Sequence, residues 1–138
     1  MPTSPLLATL PHRPPILLLT SIPIKDGDWF TTNVQIPKDA LVVKSDGSIE
    51  EASFLEMMAQ CFASAANLGA KADFGYLAQV KKFTIQKTVY AAKTLCIKTR
   101  PIFTFENIVV VEGIILDADT IVARAEFKVF HPGQNNLP

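Results

Sequence analysis

Glu56 is the side chain best suited by type and setting to move a proton. It stands in Phe54-Leu55-Glu56-Met57-Met58, and a carboxylate among apolar neighbours is costly to keep unless it is paired or put to use. Such a group is a candidate general acid or base. Gln60, one helical turn further on, is placed to hydrogen-bond to it. A second reading is that both simply share a thin solvent-facing stripe. Ser53, Glu56, Gln60, Ser64 and Asn67 are spaced 3, 4, 4 and 3 residues apart, which aligns them along one side of a helix.

Few other residues invite chemistry. The two histidines, His12 and His131, lie at opposite ends of the chain, without a His, Cys or carboxylate at the helical spacing of a preformed metal site. No metal or cofactor is implied. The six glycines form neither phosphate-binding pattern, and no G-x-S-x-G elbow is present. Cys61 and Cys96 read as small core residues rather than a disulfide. With 13 basic and 13 acidic residues the net charge is zero, whereas a nucleic-acid binder needs excess cations to displace phosphate counterions. Nucleic acid is not an expected partner.

Positioning Glu56 requires a helix. Ser48 with Glu51 three residues later matches a capping pattern, so a helix is expected from about residue 49 to Leu68, closed by Gly69. It is apolar around most of its circumference, as a buried central helix is. Before it, five prolines in the first 15 residues predict an extended arm, followed by β-prone residues 16–24, a turn at Asp26-Gly27-Asp28 and a half-buried strand at 29–36. After it, period-two segments at 75–89, 94–103, 105–116 and 121–129, with a turn at 117–120, predict long antiparallel strands. Along the last of these Ile121, Ala123, Ala125, Phe127 and Val129 face one way and Arg124, Glu126 and Lys128 the other.

A curved antiparallel sheet wrapped around one long helix gives an α+β fold in a single domain over 1–138, with a flexible tail at 131–138. No run approaches the roughly 20 apolar residues that cross a bilayer, and the first ten residues do not read as a secretory signal. A cytoplasmic protein is expected, with no membrane contact. The open sheet edges and the 49% hydrophobic content favour a homodimer, or a higher homo-oligomer, over a monomer.

Leu10-Pro11-His12-Arg13-Pro14-Pro15-Ile16-Leu17-Leu18-Leu19 and Leu55-Glu56-Met57-Met58-Ala59-Gln60 resemble, in order, the entry motif and the E-x-M-A-Q helix of 3-hydroxyacyl-[acyl carrier protein] dehydratases. The resemblance covers residues 10 to about 130, including 75–83, and implies the hot-dog fold. The loop at 36–47, the E-M-M-A-Q helix and the closing Val129-Phe130-His131-Pro132 look more like a divergent branch of dehydratases of aryl polyene-type pathways. In the family the helix glutamate works with a histidine from a loop upstream of the helix, contributed across the dimer. Glu56 matches the glutamate, and the corresponding loop here holds no histidine.

The resemblance thus implies dehydration of a 3-hydroxyacyl thioester carried by acyl carrier protein or coenzyme A, a lyase step of fatty-acid or polyene-type biosynthesis. Glu56 would be one catalytic group, with Asp46 and His12 as candidates for the second. Backbone N–H groups near Glu51 and Ala52 would polarise the thioester carbonyl through the helix dipole. Phe54, Met57 and Met58 would border the acyl chain, with Gln60 beside Glu56, and Gly75 and Tyr76 would contact substrate. The missing histidine favours two competing readings: a non-catalytic acyl-thioester-binding subunit, or a partner that forms a hetero-dimer with a catalytic hot-dog subunit. An acyl thioesterase is a third.

Overall fold

Three two-residue loops set the strand pairing. In the computed structural model, which describes residues 23–66 and 76–130, Asp26 lies opposite Trp29, Phe105 opposite Ile108, and Asp117 opposite Thr120. The first residue of each loop has positive φ: Gly27 at 62°, Glu106 at 54° and Ala118 at 55°. That sign is what tight hairpins need if the turn is to match the right-handed twist of the strands. Glycine adopts it without strain at the first loop, whereas Glu106 and Ala118 hold it against the steric preference of a side chain.

The elements run β1 (Ile24–Asp26), β2 (Trp29–Gln35), α1 (Ala52–Ala66), β3 (Tyr76–Ile85), β4 (Thr94–Phe105), β5 (Ile108–Asp117) and β6 (Thr120–Phe130). They form one antiparallel sheet in the order β1-β2-β4-β5-β6-β3. α1 packs on one face of it, against β2, β4, β5 and β6. This is the expected α+β hot-dog arrangement. The alternation read from the last strand holds from Ala123 onward: Ala123, Ala125, Phe127 and Val129 are buried, Arg124 is exposed, and Glu126 and Lys128 are half-buried, whereas at its start a register shift leaves Ile121 half-buried and Val122 fully buried. The helix-facing side is closed by Leu95, Ile97, Val111 and Ile115 from β4 and β5, against Phe54, Met57, Met58 and Phe62 of α1.

Three boundaries differ from expectation for identifiable reasons. α1 begins at Ala52 rather than near 49, because Ser48 does not cap it. The Ser48 hydroxyl donates to Asp46 Oδ1 at 2.6 Å, and Ser48 and Ile49 are held in isolated bridges with Tyr90 and Val43. β3 stops at Ile85 rather than 89, because the backbone beyond it serves another segment. Ile49 N–H donates to the Val89 carbonyl, Ala91 N–H to Gly47 and Ala92 N–H to Ile36. The β4–β5 turn falls at Glu106–Asn107 rather than at Thr104. Pro101 is tolerated inside β4 because the β2 pairing ends at Thr99, and a register shift follows between Pro101 and Phe103.

The Pro-rich arm with His12, the end of the predicted helix at 67–68, Gly75 and the tail at 131–138 with His131 lie outside the described residues, as does the Tyr76 side chain. Among the described residues no helix is long and apolar enough to cross a membrane.

Candidate active site

The polar stripe of α1 is not a solvent-facing stripe. Ser53, Gln60 and Ser64 are buried, Gln60 and Ser64 completely. Glu56 is half-buried, with its Oε2 closed off from solvent. The Ser53 hydroxyl donates back to the Glu50 carbonyl at 2.6 Å, while Ser64 Oγ has no hydrogen-bond partner among the described residues. From Glu56 to Ser64 the stripe extends about 12 Å along the helix. A line of hydroxyl, carboxylate and amide groups inside an otherwise apolar helix costs desolvation at each position, which simple packing gives no reason to retain.

Glycine sets how closely this helix meets the sheet. A Cβ on Gly113 of β5 would stand 2.6 Å from Met58 Sδ and 3.2 Å from Met58 Cβ, so any larger residue there would have to displace the Met58 side chain. Phe54, Met57 and Met58 are themselves buried in the core. On the β4 side Thr99 Oγ1 donates to Cys61 Sγ at 3.6 Å, and the thiol donates to the Phe30 carbonyl at 3.7 Å. Burial pushes the Cys61 thiol up to about 12, so it is a packed, protonated group and not a nucleophile. Cys96 is half-buried and also free. Phe30 and Phe62 meet edge to face, with ring centroids 6.4 Å apart.

The remaining described sequence candidates, Asp46, Glu51 and Ala52, are exposed. Asp46 is exposed at the tip of a turn closed by Lys44 N–H to Ser48 O and Gly47 N–H to Lys44 O. Its Oδ1 accepts from both the Ser48 hydroxyl and the Ser48 N–H, and these bonds, the hydroxyl's above all, lower its pKa below the usual value. Here Asp46 shapes the loop. Glu51 and Ala52 are exposed at the helix entry, where the N–H groups of Ser53 and Phe54 are closed by the carbonyls of Glu50 and Glu51.

Two clefts are lined by residues other than Glu56. One, of about 440 Å³, is lined by Lys25, Asp28, Phe30, Arg100, Pro101 and Ile102. The other, of about 220 Å³, is lined by Lys82, Thr84, Glu112, Arg124, Ala125 and Glu126. Neither is lined by Phe54, Met57 or Met58. Between the clefts a row of charge crosses the sheet: the Arg100 guanidinium sits 4.5 Å over the Trp29 ring and 2.9 Å from Glu112, Arg124 lies 3.7 Å from Glu112, and Lys81 lies 3.1 Å from Glu126. Sequence reading did not single out Gly113 or this row. A glycine inside an otherwise β-branched run was the available signal for the first. The second needs the strand register.

Solved structures of similar fold include dehydratases and thioesterases. The dehydratase heterocomplex ApeI:P from Xenorhabdus doucetiae matches with a TM-score of 0.79 and 20% identity, over 95% of this chain and 93% of that one. A hypothetical thioesterase with coenzyme A from Streptococcus pneumoniae matches with a TM-score of 0.67 and 16% identity, over 83% and 86%. The E. coli PaaI protein from the phenylacetic acid degradation operon matches with a TM-score of 0.64 and 12% identity, over 78% and 79%. At these identities the likeness is one of fold. No curated protein sequence matches. The ApeP-like family profile, that of ApeP dehydratase, matches residues 4–137, nearly the whole chain including the helix that carries Glu56, and the chain therefore belongs to the ApeP-like dehydratase family.

Proposed function

We propose that this protein is one subunit of a 3-hydroxyacyl thioester dehydratase, acting on an acyl group carried by acyl carrier protein or coenzyme A in fatty-acid or polyene-type biosynthesis. The observation that carries the reading is the buried polar stripe of α1 with Glu56 on it, in a chain of a dehydratase family. Dehydration needs a base for the proton α to the thioester carbonyl, an acid for the departing hydroxide, and donors for the developing enolate oxygen. Glu56 supplies one carboxyl for this proton traffic, and the Gln60 amide one turn away orients it or the substrate. Phe54, Met57 and Met58 border the acyl chain, their flexible thioethers accommodating an elongated ligand.

The second catalytic group comes from a different hot-dog subunit. The sequence holds only His12 and His131, the loop before the helix has none, and the candidate carboxylate of that loop, Asp46, is exposed and engaged by Ser48. That the solved dehydratase of similar fold is a heterocomplex supports pairing of unlike subunits over the homodimer expected from the sheet edges alone. The thioesterase reading draws its support from the fold of the Streptococcus pneumoniae neighbour.

The test is hydration of a trans-2-enoyl thioester, the reverse reaction, by the protein alone and mixed with a histidine-bearing hot-dog dehydratase subunit, with free thiol assayed in parallel. The expected result is hydration in the mixture, lost with Glu56→Gln. Hydrolysis to free thiol without hydration establishes the thioesterase. Hydration that survives Glu56→Gln in the mixture leaves this chain as a binding subunit.

A further inference from the structure

Among the described residues β3 is the last strand of the sheet, paired on one side with β6 and with no strand beyond it on the other. Its ten residues give a free edge of about 33 Å, long enough to template a strand from another chain. The middle of that edge holds consecutive lysines, Lys81 and Lys82, both exposed, with exposed Gln79, Val80 and Thr84 around them and no carboxylate anywhere in β3. Lys81 reaches back to Glu126, and Lys82 makes no ion pair among the described residues. The nearby carboxylates, Glu112 and Glu126, already serve Arg100, Arg124 and Lys81. Register shifts between Leu77 and Gln79 and between Val80 and Lys82 mark the same strand, and bulges are a common way to discourage indiscriminate edge pairing.

A second copy paired antiparallel through a two-fold axis at the middle of β3 would set Lys81 and Lys82 opposite, or diagonal to, the same two lysines. Like charges facing one another across a strand pair are destabilising. A partner whose edge strand carries carboxylates there would turn the same contacts into attractions, so the edge discriminates through repulsion as well as through attraction. We propose that Lys81 and Lys82 select the partner: they reject a second copy of this chain and receive an acidic edge strand of a different hot-dog subunit. The proposal rests on the unlike-subunit reading above and adds the residues that enforce it.

The experiment needs only this protein. Wild type and the Lys81→Glu/Lys82→Glu variant, distinguishable by mass, are examined singly and mixed by native mass spectrometry and sedimentation. The expected result is a mixed pair favoured over either like pair by about tenfold, with the preference shrinking at about 0.5 M salt as the charges are screened. Because the double variant sets a glutamate beside Glu126, Lys82→Glu alone is run as well and should show the same preference, about threefold. A statistical distribution of pairs, or a wild-type dimer indifferent to salt and to both substitutions, overturns the proposal. The hydration assay is separate: hydration with an added partner but no lysine dependence removes only the selection mechanism, and lysine-dependent pairing with no hydration removes only the dehydratase reading.

Discussion

On the face of β4, β5 and β6 that meets α1, Ile97, Val111, Ile115, Ala125 and Phe127 are almost free of solvent, whereas on the opposite face of the same strands Arg100, Glu112, Arg124 and Glu126 stand partly in water, Glu112 paired with both arginines and Glu126 with Lys81 of β3. Register makes the contrast sharp: Gly113 lies between Thr99 and Ala125 on the inner side, while its neighbour Glu112 lies between Arg100 and Glu126 on the outer side. Polar groups on the outer face are ordinary, because water and counter-charges accommodate them at small net energy. Polar groups on the inner side, along α1, are not. Two carboxylates that look alike in sequence, Glu56 and Glu112, therefore have different consequences, and the comparison can be broken or sharpened by substitution.

The largest expected effect comes from changing those two carboxylates in the same way. Glu56→Gln should lower hydration of a trans-2-enoyl thioester in the active mixture by about 10² to 10⁴, the scale of lost general acid–base catalysis, with little change in melting temperature. Glu112→Gln should leave the rate unchanged within about twofold, since its partners are Arg100 and Arg124 on the far side of the sheet. Equal losses from both would abolish the distinction between the faces.

Packing comes next. Gly113→Ala forces a methyl against Met58 and should destabilise the fold by about 1–3 kcal/mol, the range for overpacking. The same change in a Met58→Ala background should cost much less, because the colliding side chain is gone. Denaturant midpoints of the four proteins close that cycle, and additive effects would mean that the helix does not press on β5 at that point.

On the outer face, Arg100→Ala removes both the Glu112 pair and the stack on Trp29. With the Arg100 side chain 37% exposed, the expected loss is about 1 kcal/mol, part of which fades as salt is raised and the stacking share persists. A loss matching that of Gly113→Ala would place the row in the core's energetic class.

The smallest effect concerns acid. Asp117, at the end of β5, accepts from Lys87 at 3.0 Å and lies 3.2 Å from Lys93, contacts that depress its pKa below the usual 3.8. A carboxyl depressed in the folded state contributes stability that is complete above its unfolded pKa and is lost as pH falls through the lower folded value. Asp117→Asn should therefore be less stable than wild type at neutral pH, with the gap closing below about pH 4. A gap that widens in acid would reverse the sign of the assignment.

How much was legible beforehand follows from which interactions are local. Residues 123–129 announced themselves, because a half-buried strand writes its two faces into alternate positions, and β6 shows that alternation from Ala123 onward. α1 was legible as a buried helix from its apolar circumference. Its start was not, because Ser48 satisfied a local capping rule while its hydroxyl went to Asp46 and its backbone to Tyr90, a residue 42 positions away in sequence.

The candidate site divides along the same line. The sequence by itself determined that Glu56 sits on a helix among apolar residues with Ser53, Gln60 and Ser64 on its side, since helical periodicity depends on spacing alone. It left open whether that side faced water, because an amphipathic stripe and a buried polar line have one and the same spacing. Only the tertiary structure decided it, by burying Ser53, Gln60 and Ser64 and by placing Asp46 at an exposed turn. The physical reason is that burial is a property of what packs against a residue, and for α1 the packing partners are β2, β4, β5 and β6, three of which lie far along the chain from it.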